Sequence, residues 1–163
     1  GDFHYYVPIS SAKPKHQKMS NSLDFHKLQD ESTGYLYAVL NINNMIPVPD
    51  NYLTQLKYNQ VESFRSFSNE KEKTDYVYLL QKEKALIDNV QNTLQNKAMK
   101  LYQKCIVKPD SSLAARCCNF KMLEEKCSSF YDGISSVIVW SRKSSRMISS
   151  HLRYFFILRA YLS

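Results

Sequence analysis

The stretch YYVPISSAKPKH, residues 5–16, joins a short β-type run to a polar turn. Apolar side chains alternate along its first half, which is typical of a strand with one buried face. Because proline has no N–H group for the ladder, Pro8 predicts that this strand lies at a sheet edge or contains a bulge. Pro14 disfavours helix at Lys13, so residues 10–13 are expected to be extended or to form a turn.

The turn that follows this run carries two hydroxyls, two lysines and a histidine. Hydroxyls and free backbone N–H groups donate hydrogen bonds, and lysine supplies a mobile positive charge, so the turn is suited to holding a phosphate. The alternative is an ordinary polar loop after an edge strand, and spacing alone does not separate the two. The candidate residues are Ser10, Ser11, Lys13, Lys15 and His16.

The size and composition of the chain predict one compact domain with a substantial core. It has 163 residues, of which 44% are hydrophobic. Its 12 tyrosines and 8 phenylalanines suit core packing, or stacking on exposed bases. Alternation alone does not show which of Tyr5, Tyr6, Tyr35 and Tyr37 would stack.

The positive charge is unevenly distributed along the chain. The net charge is +7, but residues 134–163 contribute +5 through five basic residues and no acid. Residues 1–133 are therefore nearly neutral. A global argument from basic charge to nucleic-acid binding fails, so any RNA-binding hypothesis has to rest on a local patch.

The cysteine pattern predicts thiols and no metal centre. No C-x-x-C pair is present, and two of the four cysteines are adjacent. No secretory apolar segment opens the chain, so we expect reduced cysteines, a cytoplasmic location, no zinc site and no cofactor. The cysteines are Cys105, Cys117, Cys118 and Cys127.

The first half of the chain reads mainly as β-structure. Residues 24–28 and 35–42 predict an antiparallel hairpin, with Gly34 before its second strand. Two prolines in residues 43–49 end the hairpin. The apolar residues in the range 52–67 do not repeat with a helical or a strand period for long, and we interpret this range as extended.

The second half reads as helical. Ser68 and Asn69, followed by Glu70 and Glu72, supply a cap residue and predict a helix start. Apolar positions recur every three to four residues as far as Cys105, which predicts two helices broken near residues 89–92. Asn119 is expected to cap a last helix. We interpret the lysines opposite the apolar face as a solvated surface in preference to an RNA-contact face; they are Lys82, Lys84, Lys97, Lys100 and Lys104.

Residues 134–163 differ from the rest of the chain, being serine-rich and free of acids. The apolar run at residues 154–158 is too short and too closely flanked by arginine to span a bilayer. A membrane-surface segment is one possibility. We prefer to interpret this segment as an atypical tail that packs poorly and carries no site.

Three motifs in the chain resemble one known family. Residues 5–16 resemble the strand and turn with the pattern pl(S/T)SPKpKH in the ToxN/AbiQ family, the toxins of type III toxin–antitoxin and abortive-infection systems. Residues 41–48 (NINNMIPV) resemble that family's inFNNMIPV segment, and residues 119–126 (NFKMLEEK) are similar to its cNF-LLEEK helix. The motifs occur in the family's order, and the resemblance covers about residues 3–130.

The resemblance implies an α+β fold: a compact single domain with a twisted antiparallel sheet flanked by helices, like the MazF/Kid toxins. It implies a phage-defence endoribonuclease that cuts RNA without metal, leaving a 2′,3′-cyclic phosphate and a 5′-OH. Its partners would be target RNA and a repeat-derived RNA pseudoknot antitoxin, in an RNA-bridged oligomer with several toxin copies. By position, Ser10, Ser11 and Lys13 match the catalytic residues. RNA-binding roles are expected for Lys15, His16, Asn119 and Lys121.

Two departures from the family pattern affect these expectations. Ala12 stands where the family usually has proline, and the family's first strand would precede Gly1. The chain starts without methionine and its beginning looks cut, so we expect an unpaired sheet edge and weak or no cleavage by this chain alone. The expected organisation is a ToxN-like domain at residues 1–133 and the tail at residues 134–163.

Two other functions are also compatible with the sequence. One is an inactive RNA-binding remnant of such a toxin. The other is a small helical interaction protein with a membrane-surface tail, in which the serine–lysine turn is incidental.

Overall fold

Strand β1 (Tyr5–Ser11) is the central strand of an antiparallel sheet. The computed structural model describes residues 4–48, 55–131 and 152–158, the last range as strand backbone only. Lys13 is extended, as predicted, and a one-turn helix α1 (Pro14–Gln17) follows it.

The predicted hairpin is confirmed as β2 (Phe25–Gln29) and β3 (Leu36–Asn41), which pair antiparallel. Its turn is held by Asp30, whose Oδ1 accepts the backbone N–H groups of Ser32 at 2.9 Å and Thr33 at 3.0 Å. Gly34 closes the turn with a φ of 70°, a left-handed conformation that favours glycine.

Beyond β3, a 3₁₀ turn (Ile42–Asn44) leads to the two-residue strand β4 (Ile46–Pro47). β1 pairs with β3 through Ile9–Ser11 and with β4 through Tyr5–Tyr6, so β3 and β4 follow one another along the same side of β1. Pro8 lies where this ladder is interrupted between β3 and β4.

The other side of β1 is paired with β5 (Leu152–Leu158), with Tyr5 opposite Leu158 and Ser10 opposite Leu152. Of the two alternatives predicted from Pro8, the edge position is wrong because β1 is paired on both sides, whereas the bulge agrees with an irregularity in the β1–β5 pairing. The unpaired sheet edge expected from a missing first strand stays a prediction. A register shift between Ile9 and Ser10 takes up the irregularity that proline introduces. Leu152–Leu158, within the segment expected to pack poorly, form a strand paired with β1, and their aromatic residues favour strands. Residues 134–151 and 159–163 lie outside the described residues, and the domain boundary at residue 133 stays a prediction.

Helix α2 (Glu70–Val107) is one continuous helix of 38 residues, so the predicted break near residues 89–92 is wrong. No proline or glycine interrupts this range, and the side chains of Asn89 and Asn92 are exposed. The predicted cap is confirmed, since Asn69 Oδ1 accepts the N–H of Glu72 at 2.9 Å. Residues 58–63, expected to be extended, form a 3₁₀ helix in which Val61 packs against Tyr76 and Leu80. Residues 52–54 of that prediction lie outside the described residues.

Helix α3 (Phe120–Tyr131) begins after Asn119, whose Oδ1 accepts the N–H of Met122 at 3.1 Å as predicted. It is joined to the sheet by a buried carboxylate. Glu124 Oε1 accepts the hydroxyls of Tyr5 on β1 at 2.8 Å and of Tyr102 on α2 at 2.7 Å. Burial, and then the hydrogen bond to Glu124, raise the pKa of Tyr5 well above its usual range. One carboxylate therefore links three elements.

The main core lies between the sheet and the two long helices. Alternate residues of β1, together with β2 and β3 residues, face the apolar stripe of α2. Its buried members include Tyr5, Val7, Ile9, Leu28, Ala38, Leu40, Ile87, Leu94, Ala98, Leu101 and Phe120. A second, smaller cluster of Phe25, Leu36 and Val39 lies beside Ala12. In the described part of the chain no helix has the length and apolar content needed to cross a membrane.

Candidate functional site

The two candidate serines lie at the end of β1, where both are half-buried. Side chains alternate between the faces of a strand, so Ser10 points away from the core that holds Ile9. Its hydroxyl has a defined partner: Asn41 Nδ2 donates to Ser10 Oγ at 2.9 Å. Because this bond uses an acceptor lone pair of Ser10, the serine O–H remains able to donate to another group.

Asn41 is the functional candidate that sequence reasoning missed as a site residue. It ends β3, and the register that pairs Ser10 with Val39 brings the Asn41 amide within reach of the serine. The residue lay inside the NINNMIPV motif, but its role depends on pairing between strands about thirty residues apart in sequence. Only the register supplies that information.

His16 lies beneath the turn instead of facing solvent. Its Nδ1 accepts the backbone N–H of Lys13 at 3.1 Å, and the backbone N–H of His16 donates to the carbonyl of Lys13 at 2.8 Å. The ring is 7% exposed and packs against Phe25, with 5.8 Å between the centroids. This reciprocal pattern is the histidine counterpart of a capping box.

The environment of His16 favours its neutral form. Burial lowers the pKa of the imidazole below 6.5, and the positive charges of Lys15 and Lys13 act in the same direction. Because Nδ1 accepts a hydrogen bond, the proton of the neutral ring lies on Nε2. His16 thus holds the backbone that presents Lys13, while Lys13 and Lys15 themselves are exposed.

Ser10 and Ser11 lie at the end of β1 and Lys13 and His16 lie in the turn and helix that follow, whereas Asn119 and Lys121 lie at the start of α3. Lys121 Nζ donates to Glu124 Oε2 at 3.1 Å. The backbone of Asn43 connects the two regions, since the N–H of Cys118 donates to its carbonyl at 2.9 Å. Asn119 and Lys121 line a separate cleft of about 390 Å³ with Cys117 and Cys118.

The exposure of the tyrosines narrows the choice of stacking partners. Tyr5 and Tyr6 are 0% and 2% exposed, so neither offers a ring face to solvent. Tyr35 is 62% exposed, and its ring meets Tyr37 edge-on at 4.7 Å. Tyr37 lies two residues before Val39 on β3, so it shares the sheet face of Ser10.

All four cysteines are free thiols. Burial raises the pKa of Cys118, and burial together with neighbouring Cys105 raises that of Cys117 to about 12. Within residues 4–48 and 55–131 no three His, Cys, Asp or Glu side chains are grouped in a way that would hold a metal ion.

Comparison with known proteins gives consistent matches. Residues 1–128 match the family described as toxin ToxN of the type III toxin–antitoxin system. Endoribonuclease AbiQ of Lactococcus lactis subsp. lactis is 27% identical over 134 residues, which are 77% of this chain and 65% of AbiQ. The chain thus spans just under two thirds of the curated relative it matches.

Solved structures show the same fold. A bacterial type III toxin, inhibited selectively by a non-coding RNA pseudoknot, is 28% identical with a TM-score of 0.60, covering 78% of this chain and 72% of that one. The structure of AbiQ, a lactococcal anti-phage endoribonuclease, is 24% identical with a TM-score of 0.64, covering 81% and 74%. The predicted α+β class, with an antiparallel sheet flanked by helices, is confirmed.

Proposed function

Because this chain belongs to the ToxN toxin family of type III toxin–antitoxin systems, we propose that it is an endoribonuclease acting in the cytoplasm. It cleaves RNA by attack of the 2′-OH on the adjacent phosphate, leaving a 2′,3′-cyclic phosphate and a 5′-OH. The reaction uses the chain's own residues and needs no metal ion. The relative that carries the name endoribonuclease, AbiQ, supports this assignment.

The proposed inhibitor is a repeat-derived RNA pseudoknot, which also bridges several copies of the toxin. A related toxin is inhibited by a non-coding RNA pseudoknot, and this supports the proposal for the present chain. RNA inhibitor and RNA substrate share a phosphate backbone, so both can occupy one anion-binding turn.

The observation that carries the proposal is the arrangement of Ser10, Lys13 and His16 at the end of β1. Asn41 orients the Ser10 hydroxyl at 2.9 Å, and His16 holds the backbone of Lys13 at 3.1 Å. An oriented hydroxyl donor three residues before an exposed lysine suits a phosphate whose negative charge grows during reaction. Enzymatic stabilisation of this kind depends on donors that are held in place before the substrate binds.

Each residue has a distinct role in the proposed reaction. The 2′-OH gives up its proton as its oxygen bonds to phosphorus, the P–O5′ bond breaks, and the 5′ oxygen takes up a proton, so one proton is released for each one taken up. Lys13 neutralises the non-bridging oxygens of the pentavalent transition state. Ser10 donates a hydrogen bond to the phosphate. Ser11 pairs with Ala38 and so faces the other side of the sheet at the strand end; its proposed part is that of a proton relay, because a serine is a weak base at neutral pH. Lys15 holds a neighbouring phosphate.

The contacts of His16 oppose a role as general base. Its Nδ1 is occupied by the Lys13 N–H, and its ring is buried against Phe25. Its proposed part in RNA binding is therefore indirect. It shapes the turn that contacts the phosphate.

The test is cleavage of a mixed RNA pool in EDTA, with the ends mapped, for the wild type, Lys13→Ala and Lys18→Ala. Lys18 is an exposed lysine just beyond α1 and serves as the matched control. We expect weak but discrete cuts with 2′,3′-cyclic phosphate ends, a loss of about 100-fold or more in Lys13→Ala, and little change in Lys18→Ala. A single 2′-deoxy substitution at a mapped cut site should abolish that cut.

Three results would contradict parts of this proposal. Cleavage that disappears in EDTA would contradict metal independence. Equal loss in the two lysine variants would contradict the assignment of Lys13. RNA binding without any cleavage would point to an RNA-binding remnant instead of an enzyme.

A further inference from the structure

Helix α2 carries its charge unevenly along its length. Residues 70–88 contain five acids and four lysines, whereas residues 89–108 contain four lysines and no acid. The next acid along the chain is Asp110. One half of the helix is therefore balanced and the other half is purely basic.

The pairing of the lysines follows the same division. In the N-terminal half, Lys71 pairs with Asp75 and Lys84 with Asp88, each at 2.5 Å, and Lys73 pairs with Glu62 at 3.1 Å. In the C-terminal half, Lys100, Lys104 and Lys108 have no carboxylate partner among residues 4–48 and 55–131. The solvated-surface interpretation suits the first group, but the second group lacks the counter-charges that such a surface would carry.

The fourth lysine of the basic half has a structural role. Lys97 Nζ lies 3.1 Å from His26 Nδ1 and 3.4 Å from the carbonyl of Phe25, and burial lowers its pKa. Burial, and then the charge of Lys97, lower the pKa of His26 to about 4. Lys97 donates to β2, so its ammonium group does not face solvent as the others do. The other three lysines, Lys100, Lys104 and Lys108, are the outer lysines.

The three outer lysines share one groove. Lys100 and Lys104 are four residues apart, about 6 Å along the helix axis, so they lie on one face of α2. Lys108 is the residue that caps the end of the helix. Together with Gln103, Ser111 and the apolar side chains of Val107 and Leu113, the three lysines line a groove of about 400 Å³. The helix dipole accounts for a lysine in the last turn, such as Lys104. It does not account for Lys100, which lies further from the helix end, or for the absence of acids through residues 89–108.

We propose that Lys100, Lys104 and Lys108 form a second RNA-contact surface that binds the phosphate backbone outside the Ser10–Lys13 turn. The inference rests on the proposed function, which supplies RNA as the partner. Several unpaired ammonium groups in a row, with polar donors beside them, complement the regular negative charge of a nucleic-acid strand. Contacts to phosphate position a strand without reading its sequence, so this surface adds affinity for long RNA and no base preference.

The test compares Lys100→Gln/Lys104→Gln/Lys108→Gln with the control Lys71→Gln/Lys73→Gln/Lys84→Gln. Both triple variants remove the same charge, from α2 and the residue that caps its end. Binding is measured with a pool of long 2′-O-methylated RNA, which lacks the 2′ nucleophile and so reports binding without cleavage. Affinity is followed as a function of salt, and thermal unfolding checks that both variants fold.

We expect the first variant to lose on the order of 10- to 100-fold in affinity near 0.1 M salt, and its log–log salt slope to fall by about 2. The control should keep the wild-type slope, because its lysines are already neutralised by neighbouring carboxylates. Equal effects in the two variants, or none in the first, would overturn the inference while leaving cleavage at the Ser10–Lys13 turn intact.

Two further measurements, binding of other polyanions and cleavage of unmodified RNA, show which proposal has failed if the expected results are not obtained. If polyglutamate or anionic vesicles bind through these lysines and RNA does not, the surface serves another partner and the inference is wrong. Cleavage by the wild type is scored separately on unmodified RNA. Failure of the proposed function therefore appears as absent cleavage, and failure of this inference appears as unchanged binding.

Discussion

At the scale of single residues, His16 has a more specific role than its sequence position suggested. The motif predicted RNA contact, whereas the ring is buried and accepts the Lys13 N–H. Sequence could predict the turn from Pro14 and the hydroxyls, because those effects are local. It could not predict the packing of His16 on Phe25, since that contact depends on how β2 lies beside β1.

This geometry predicts different outcomes for two substitutions of His16. His16→Ala removes the acceptor for the Lys13 N–H and should cost about 1 kcal/mol in free energy of unfolding, with a several-fold loss in RNA cleavage. His16→Gln keeps an acceptor at the same helical position, as in a capping box, and should retain most of the activity. Urea denaturation and initial cleavage rates measure both effects. A general base at this position would be contradicted by an active glutamine variant.

The pH dependence follows from the same pKa shift. Because the pKa of His16 is lower in the folded chain than in the unfolded chain, the unfolded state binds the proton more readily as pH falls below about 6.5. The contribution of the Lys13–His16 hydrogen bond is therefore complete at neutral pH and lost on acidification. The wild type should lose more stability and activity between pH 7 and pH 5 than His16→Gln. Parallel pH profiles for the two proteins would refute this.

At the scale of elements, local signals predicted what local interactions determine. The Asn69 and Asn119 caps, the β2–β3 hairpin and its Gly34 turn all depend on neighbours within a few residues. The continuity of α2 was missed because asparagines are favoured at helix ends, and their exposure on the solvent side removes that conflict. The pairing of β5 with β1 was missed because it joins distant parts of the chain.

The unbroken course of α2 gives a direct test at Asn92. Asn92→Pro should cost about 3 kcal/mol or more, because proline removes a backbone hydrogen bond and clashes with the preceding turn. Asn92→Ala at the same exposed position should stabilise the protein by roughly 0.5 kcal/mol. Both are measured by urea denaturation. A proline variant as stable as the wild type would show that the helix is interrupted here.

At the scale of the whole molecule, one buried carboxylate holds the helices to the sheet. Tyr5 and Glu124 are separated by 119 positions in sequence, and Tyr102 comes from a third element. Helical spacing alone could predict that α2 and α3 have apolar faces. It could not predict this junction, because tyrosine and glutamate at these positions carry no local signature of pairing.

Replacing the Tyr5 hydroxyl tests the junction. Tyr5→Phe should destabilise the protein by about 1–3 kcal/mol, since Glu124 would lose one donor in a buried site. Tyr78→Phe is the matched control, because Tyr78 is 55% exposed. Thermal unfolding of the two variants should differ by several degrees. Equal stability would mean that water replaces the lost hydroxyl at no cost.

The alternation of side chains along β1 makes the site sensitive to the length of the strand. Tyr5, Val7 and Ile9 belong to the core, while Ser10 meets Asn41 on the other face. Both sides of the strand are paired, so its register is held by two ladders. Deletion of one residue between Tyr6 and Ile9 would exchange the two faces and turn apolar groups toward the phosphate site, whereas removal of two would preserve them. Natural variation in the length of this strand should therefore occur in steps of two, with odd changes confined to the turn after Ser11.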